Sequence, residues 1–83
     1  MNVLYFAWVR QKVGRSEERL DLPAGIATVR ALAEFLERRG GGYAQAFADL
    51  KRLRAAVNQE HVPFDSALAA DDEVAFFPPV TGG

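Results

Sequence analysis

The sequence from 72 to 83 reads Asp72-Glu73-Val74-Ala75-Phe76-Phe77-Pro78-Pro79-Val80-Thr81-Gly82-Gly83. Its part from Glu73 to Phe77 is rich in β-branched and aromatic residues, which predicts a strand. Pro78-Pro79 ends that strand, because proline has no amide hydrogen for a ladder, and favours an extended polyproline-like spacer. We therefore predict a folded domain over residues 1–79 and a flexible Gly-Gly tail over residues 80–83.

The last strand carries more apolar side chains than a single covered face requires. Successive side chains point to opposite faces of a sheet, so Val74 and Phe76 are predicted to face a helix while Phe77 faces the other way. The first strand, predicted over Val3–Ala7, has the same surplus, with Leu4 and Phe6 on the side opposite Val3 and Tyr5. Exposed apolar patches of this kind mark partner surfaces, so we predict that this face binds another protein.

The rest of the pattern predicts one main helix and three further strands. The helix is predicted over Thr28–Arg39, because its apolar residues at 29, 32, 33 and 36 form one stripe, and the glycines at 40–42 end it. We predict helical turns before Gly14 and over Ser66–Leu68, and a short helix over Tyr43–Asp49. The further strands are predicted over Glu17–Leu22, Leu53–Val57 and, as an edge interrupted by Pro63, His61–Phe64. This order predicts an α+β fold.

Composition limits the classes of function. The chain has 83 residues, 49% of them hydrophobic and 25% charged, which fits one folded domain. A net charge of -1 gives no reason to expect nucleic acid or a membrane as partner. The absence of cysteine excludes disulfides and thiolate chemistry. The apolar start, Met1–Val9, is too short for a membrane span and lacks the features of a signal peptide, so we expect a cytoplasmic protein.

Other candidate sites have ordinary structural explanations. His61, Asp65 and Ser66 are the residue types of a hydrolytic triad, but their position on one predicted loop disfavours the required geometry. A single histidine without cysteine disfavours a metal site. The glycines at 40–42 follow a helix and are not followed by Gly-Lys-Ser/Thr, which disfavours a phosphate loop. We interpret Asp71-Asp72-Glu73 as a solvated turn.

Three segments of the chain resemble the ubiquitin-like sulfur carriers, and among them the small subunits of molybdopterin synthases. The segments are Met1–Gly14, Ala55–Gln59 and, most specifically, Asp72–Gly83; the similarity covers essentially the whole chain. It implies a ubiquitin-like β-grasp fold, in which a mixed sheet of four to five strands packs on one main helix and a flexible C-terminal tail follows. Two positions depart from the family: the turn at 70–73 lacks the usual Asp-Gly pair, and His61 stands where an apolar residue is common.

The resemblance also implies a mechanism and a set of partners. The carboxylate of Gly83, preceded by Gly82, would be adenylated with ATP by an E1-like activating enzyme and converted to a thiocarboxylate by a sulfur donor protein. The large subunit of molybdopterin synthase would then receive the tail and pass the sulfur to a cyclic pterin precursor. The chain itself is expected to have no catalytic centre, bound cofactor or metal. The partner-binding residues expected from the sequence are Phe6, Arg10, His61, Phe77, Pro78, Pro79, Val80 and Thr81.

Three alternatives use the same residues differently. A ubiquitin-like protein modifier would be joined to lysines through the activated glycine, and a thiamin-type sulfur carrier would use the same Gly-Gly end for another pathway. A β-grasp interaction module would bind through Phe77 and leave the tail idle. Removal of Gly83 would abolish the function of the first two and leave that of the third unchanged.

Overall fold

The computed structural model describes residues 1–79 of the chain. Val80, Thr81, Gly82 and Gly83, which carry the predicted tail, lie outside the described residues. Within residues 1–79 there are five strands: β1 (Asn2–Tyr5), β2 (Glu17–Arg19), β3 (Arg54–Val57), β4 (Glu60–Val62) and β5 (Glu73–Phe77). They are connected by α1 (Ala7–Val13), α2 (Val29–Glu37), α3 (Gly41–Ala46) and a 3-10 turn (Leu50–Arg52).

The five strands form one mixed sheet in the order β2-β1-β5-β3-β4. The first and last strands, β1 and β5, are neighbours and run parallel, with Tyr5 opposite Phe76. The other pairs are antiparallel. The predicted α+β fold, with a mixed sheet of the ubiquitin-like β-grasp type on one main helix, is confirmed.

The main helix packs on one face of this sheet. The Thr28 hydroxyl accepts a hydrogen bond from the Ala31 amide at 3.1 Å and so caps the first turn of α2. The predicted stripe of α2 is completely buried at all four positions. It shares one core with Val3, Tyr5, Val74 and Phe76 of the sheet. The predicted inward faces of α2, β1 and β5 are therefore confirmed.

The chain turns out of the sheet immediately after β1. The strand predicted as far as Ala7 ends at Tyr5, and Ala7 is already the first residue of α1. Its φ of 52° lies in the left-handed region, which non-glycine residues rarely adopt. α1 ends at Val13 and is capped by Gly14, whose amide donates to the Arg10 carbonyl at 2.8 Å. The helical turn predicted before Gly14 is therefore confirmed. Phe6 is the single residue between β1 and α1.

The three glycines at 40–42 do more than end α2. Gly40 has a φ of 80° and precedes α3, while a β-carbon on Gly42 would stand 1.8 Å from the Lys12 carbonyl oxygen. The backbones of α1 and α3 therefore meet at Gly42. α3 begins at Gly41, two residues earlier than predicted, and ends at Ala46 instead of reaching Asp49.

Further elements differ from the prediction. β4 spans Glu60–Val62 and ends before Pro63 instead of reaching Phe64. The helical turn expected over Ser66–Leu68 is wrong: the segment is extended, and Ala67 bridges Thr28. Its backbone pairs with the start of α2, since the Leu68 amide donates to the Ala27 carbonyl at 2.9 Å. β2 is shorter than predicted because only the residues from Glu17 to Arg19 pair with β1.

Two side chains organise the turns that precede β4 and β5. The Asn58 side chain accepts from the Glu73 amide at 3.0 Å and donates to the Asp72 carboxylate at 2.9 Å. Asp72 also accepts from the Ala69 amide at 2.7 Å. The hydrogen bonds from Ala69 and Asn58 hold the pKa of Asp72 below its usual value. The turn interpreted from Asp71-Asp72-Glu73 is confirmed, and β5 begins at Glu73 as predicted.

Candidate functional site

The carboxyl ends of β1 and β5 lie side by side because these strands are parallel. Phe6 follows one of them and Pro78-Pro79 follows the other. The Phe6 amide donates to the Phe76 carbonyl at 3.1 Å, which extends the pairing by one residue beyond β1. Phe6 is 49% exposed. The segment that leads to residues 80–83 therefore starts beside an accessible aromatic ring.

The face of the sheet opposite α2 carries small and apolar side chains. Leu4, Ala75 and Ala56 lie opposite one another on three adjacent strands, and His61 continues this row on β4. Phe77 lies in the next row, opposite Arg54. We call this surface the open face, and it consists of Leu4, Phe6, Ala56, His61, Ala75 and Phe77. The alternation of β5 predicted this outward position of Phe77, and the structure confirms it.

His61 and Phe77 contact each other although β3 separates their strands. Their ring centroids are 5.1 Å apart and the rings are inclined by 49°. The contact passes over Ala56, whose methyl group leaves room for both rings and which is only 7% exposed beneath them. The structure thus brings together two of the residues predicted to bind a partner.

Two arginines flank the carboxyl end of β5. Arg10 lies one turn along α1 from Phe6, since its amide donates to the Phe6 carbonyl at 3.3 Å, and its side chain is exposed. Arg54 lies opposite Phe77, and its guanidinium donates to the Leu53 carbonyl at 2.8 Å. No carboxylate within residues 1–79 forms an ion pair with either arginine. The site is therefore apolar at its centre and positive at this end.

Of the other residues predicted to bind a partner, Pro78 is half-buried and Pro79 is exposed. Val80, Thr81, Gly82 and Gly83 lie outside the described residues. The sequence did not single out Ala56 and Arg54. Strand alternation could have placed them on one face, but only the pairing of β3 with β5 shows that this is the face of Phe77.

A partly buried polar cluster lies on the opposite, covered side of the sheet. The Glu18 side chain is 7% exposed and accepts hydrogen bonds from Tyr5 at 2.8 Å, Arg39 at 2.7 Å and Tyr43 at 2.5 Å. Burial alone would raise the pKa of Glu18, but the bonds from Arg39 and the two tyrosines lower it below its ordinary value. Burial and the adjacent carboxylate raise the pKa of Tyr5 and of Tyr43. Since the carboxylate already has three donors, we interpret this cluster as stabilising the fold.

The residues of the considered hydrolytic triad are not assembled. His61 contacts Phe77, while Asp65 lies 3.3 Å from the Arg30 guanidinium in an ion pair. Among residues 1–79, no three histidine, aspartate or glutamate side chains are grouped so that they could hold a metal ion. No helix in this part of the chain is long and apolar enough to span a bilayer.

Comparison with known proteins gives consistent matches over nearly the whole chain. The model of the ThiS family matches residues 3–83. The molybdopterin synthase sulfur carrier subunit of Escherichia coli (strain K12) is 47% identical over 83 residues, and the alignment covers 100% of this chain and 99% of that protein.

Two solved structures are also similar. One is a Pyrococcus furiosus protein assigned as molybdopterin converting factor subunit 1, with a TM-score of 0.69, 33% identity and 95% of each chain covered. The other is small archaeal modifier protein 1 of H. volcanii, with a TM-score of 0.67 and 26% identity over 96% of this chain and 97% of that one.

Proposed function

The chain belongs to the ThiS family, and on this premise we propose that it is the sulfur carrier subunit of a molybdopterin synthase. The observation that carries the proposal is the position of Pro78-Pro79 at the edge of the open face, directly between β5 and residues 80–83. A protein that covers the open face would have these last residues beside its own surface. The alignment with the E. coli relative, which covers 99% of that protein, supports Gly83 as the reactive end.

The proposed chemistry takes place at the carboxyl carbon of Gly83. A carboxylate is a poor electrophile, so an E1-like activating enzyme transfers AMP from ATP to it and releases pyrophosphate. A hydrosulfide-level sulfur from a donor protein attacks the carbonyl carbon and displaces AMP, which leaves a thiocarboxylate. Transfer of that sulfur to a cyclic pterin precursor and hydrolysis return the carboxylate. Because ATP is required, we place this cycle in the cytoplasm.

The residues of this chain position the tail and bind the partner. The glycines at 82 and 83 lack side chains, so they can enter a narrow channel and allow close approach of another backbone. Pro78-Pro79 favours an extended spacer, which lowers the ordering cost of docking. The proposed contacts with the large synthase subunit are Phe6, Arg10, His61, Phe77, Pro78, Pro79, Val80 and Thr81. The chemistry of pterin conversion belongs to that subunit.

Mass spectrometry of the intact protein tests this function. The full chain is incubated with an activating enzyme, ATP and sulfide, and the expected product gains the mass of one oxygen-to-sulfur exchange. A variant without Gly83 should fold with the same thermal stability, gain no sulfur and support no molybdopterin formation with the large subunit. Molybdopterin formation by the truncated variant at the rate of the full chain would refute the proposal.

The second candidate is a protein modifier, which the similarity to the H. volcanii modifier protein favours. The same activated glycine would then be attacked by the amino group of a lysine on a target protein. The product would be an isopeptide-linked adduct of the whole chain. Trypsin digestion distinguishes the two functions, because a modifier leaves branched peptides on its targets, whereas a carrier leaves none.

A further inference from the structure

We propose that His61 is a specificity-determining residue of the open face and that it selects a partner which places a carboxylate against its imidazole. The inference rests on the proposed function, since it concerns the face that the large synthase subunit would cover. It goes beyond that function by assigning the chemistry of the partner at one position.

The first observation is the position of the imidazole. His61 is exposed on the edge strand β4, and its ring lies against Phe77 near the centre of the open face. The neighbouring side chains in its row, Ala56, Ala75 and Leu4, are all apolar. No hydrogen bond or ion pair within residues 1–79 involves the imidazole, which belongs to an exposed residue.

Docking of a partner on the open face would remove the His61 imidazole from water. A partner that covers Phe77 also covers the adjoining imidazole, because the two ring centroids are only 5.1 Å apart. Removing water from a polar group without a replacement hydrogen bond lowers affinity. A complementary partner must therefore supply a hydrogen-bonding group opposite His61, while a fully apolar partner is disfavoured there.

The positive charges at the Phe77 end of the open face favour a carboxylate as that group. Arg54 lies opposite Phe77 in the row next to His61, and Arg10 lies beyond Phe6 at the same end. Besides Glu18, three acidic residues lie on the neighbouring strands. Glu60 directly precedes His61 on β4, Glu73 begins β5, and Glu17 on β2 lies opposite Leu4 at the far end of the His61 row. The register places none of them at the Phe77 end of the open face. A negative group on the partner is therefore complementary here, and a carboxylate accepts the imidazole hydrogen in a charge-assisted bond.

Titration calorimetry of the full chain with the purified large subunit of the same organism tests the inference. The wild type is expected to bind about tenfold more tightly than His61→Leu, because leucine cannot donate a hydrogen bond to the partner carboxylate. His61→Gln keeps a hydrogen-bond donor, so its affinity should lie between those of the wild type and His61→Leu. Removing single partner carboxylates and combining each with His61→Leu should reveal one coupled pair.

The outcomes separate this inference from the proposed function. Wild type that binds the subunit with the same affinity as His61→Leu, or more weakly, would overturn the role of His61 and leave the proposed function intact. Wild type that does not bind the subunit would overturn both. Thermal unfolding checks each variant, and His61→Gln carries the test if His61→Leu does not fold.

Discussion

Gly42 and Lys12 meet so closely that a β-carbon on Gly42 would stand 1.8 Å from the Lys12 carbonyl oxygen. Lys12 lies in the last turn of α1 and Gly42 in the first turn of α3. This backbone contact fixes α1 against α3, and α1 carries Arg10 next to Phe6 at the edge of the open face. A glycine far from the proposed site therefore supports its geometry.

We expect Gly42→Ala to lower the free energy of unfolding by about 2 to 3 kcal/mol, because the added methyl group must push the two helices apart. The control is Gly25→Ala. Unlike Gly42, Gly25 has a left-handed backbone, with a φ of 85°, and nothing lies within 4 Å of the added carbon. Its loss should therefore come from backbone strain alone and be about 1 kcal/mol. Urea unfolding measures both. Equal losses for the two variants would contradict the close contact at Gly42.

Replacement of Glu18 tests the partly buried polar cluster. Glu18→Gln removes the charge that pairs with Arg39 and should lower the free energy of unfolding by about 2 kcal/mol. The neighbouring Glu17 is exposed, so Glu17→Gln should change stability by less than about 0.5 kcal/mol. Chemical denaturation at neutral pH compares the variants, and a similar small effect for both would show that the cluster adds little.

The Glu18 carboxylate makes the free energy of unfolding depend on pH in the acid range. The pKa of Glu18 in the folded protein lies below the ordinary value of 4.5, so the unfolded state binds a proton first as the pH falls. Its contribution is complete above about pH 4.5 and is lost as the pH falls through the folded pKa. Unfolding measured from neutral pH to about pH 3 should show the advantage of wild type over Glu18→Gln shrinking only in the acid range. A constant difference at every pH would contradict this assignment.

The turn between β3 and β4 offers a stabilising substitution. Asn58 and Gln59 both have positive φ, 51° and 70°, as a two-residue type I′ turn requires. Gln59→Gly should raise the free energy of unfolding by about 0.5 to 1 kcal/mol, since glycine relieves the strain at this position. Glu60→Gly, one residue later in β4, should instead destabilise by about 0.5 to 1 kcal/mol. Thermal unfolding compares the stability of both variants with that of the wild type. A lower stability of Gln59→Gly would rule out this account of the turn.

Phe76 and Phe77 are adjacent in sequence but face opposite sides of the sheet. Phe76 is completely buried, so Phe76→Ala should cost about 3 to 5 kcal/mol of stability. Phe77 lies on the open face, so Phe77→Ala should leave the fold stable and weaken binding to the large subunit roughly tenfold or more. Chemical unfolding measures the stability of both variants, and titration calorimetry measures the affinity of Phe77→Ala for the large subunit. Unchanged affinity of Phe77→Ala would remove the open face as the docking surface.

Much of the fold and part of the site follow from local sequence. The alternation of β5 predicted which face Val74, Phe76 and Phe77 take, and the stripe at 29, 32, 33 and 36 predicted the buried face of α2. These patterns are readable because each depends on residues within a few positions of one another. The run Pro78-Pro79-Val80-Thr81-Gly82-Gly83 likewise indicated the family and its proposed chemistry without reference to any long-range contact.

The contacts that assemble the site were decided by tertiary structure. The parallel pairing of β1 with β5 places Phe6 beside the end of β5, and the order β5-β3-β4 brings His61 onto Phe77 over Ala56. Gly42 has to be glycine because of Lys12, and Glu18 gains its three donors from residues 13, 21 and 25 positions away. Ser66–Leu68 is extended because it pairs with the start of α2. Periodicity along a chain specifies which face of an element is apolar, whereas the partner of that face depends on how distant elements pack, and this information is not contained in any single segment.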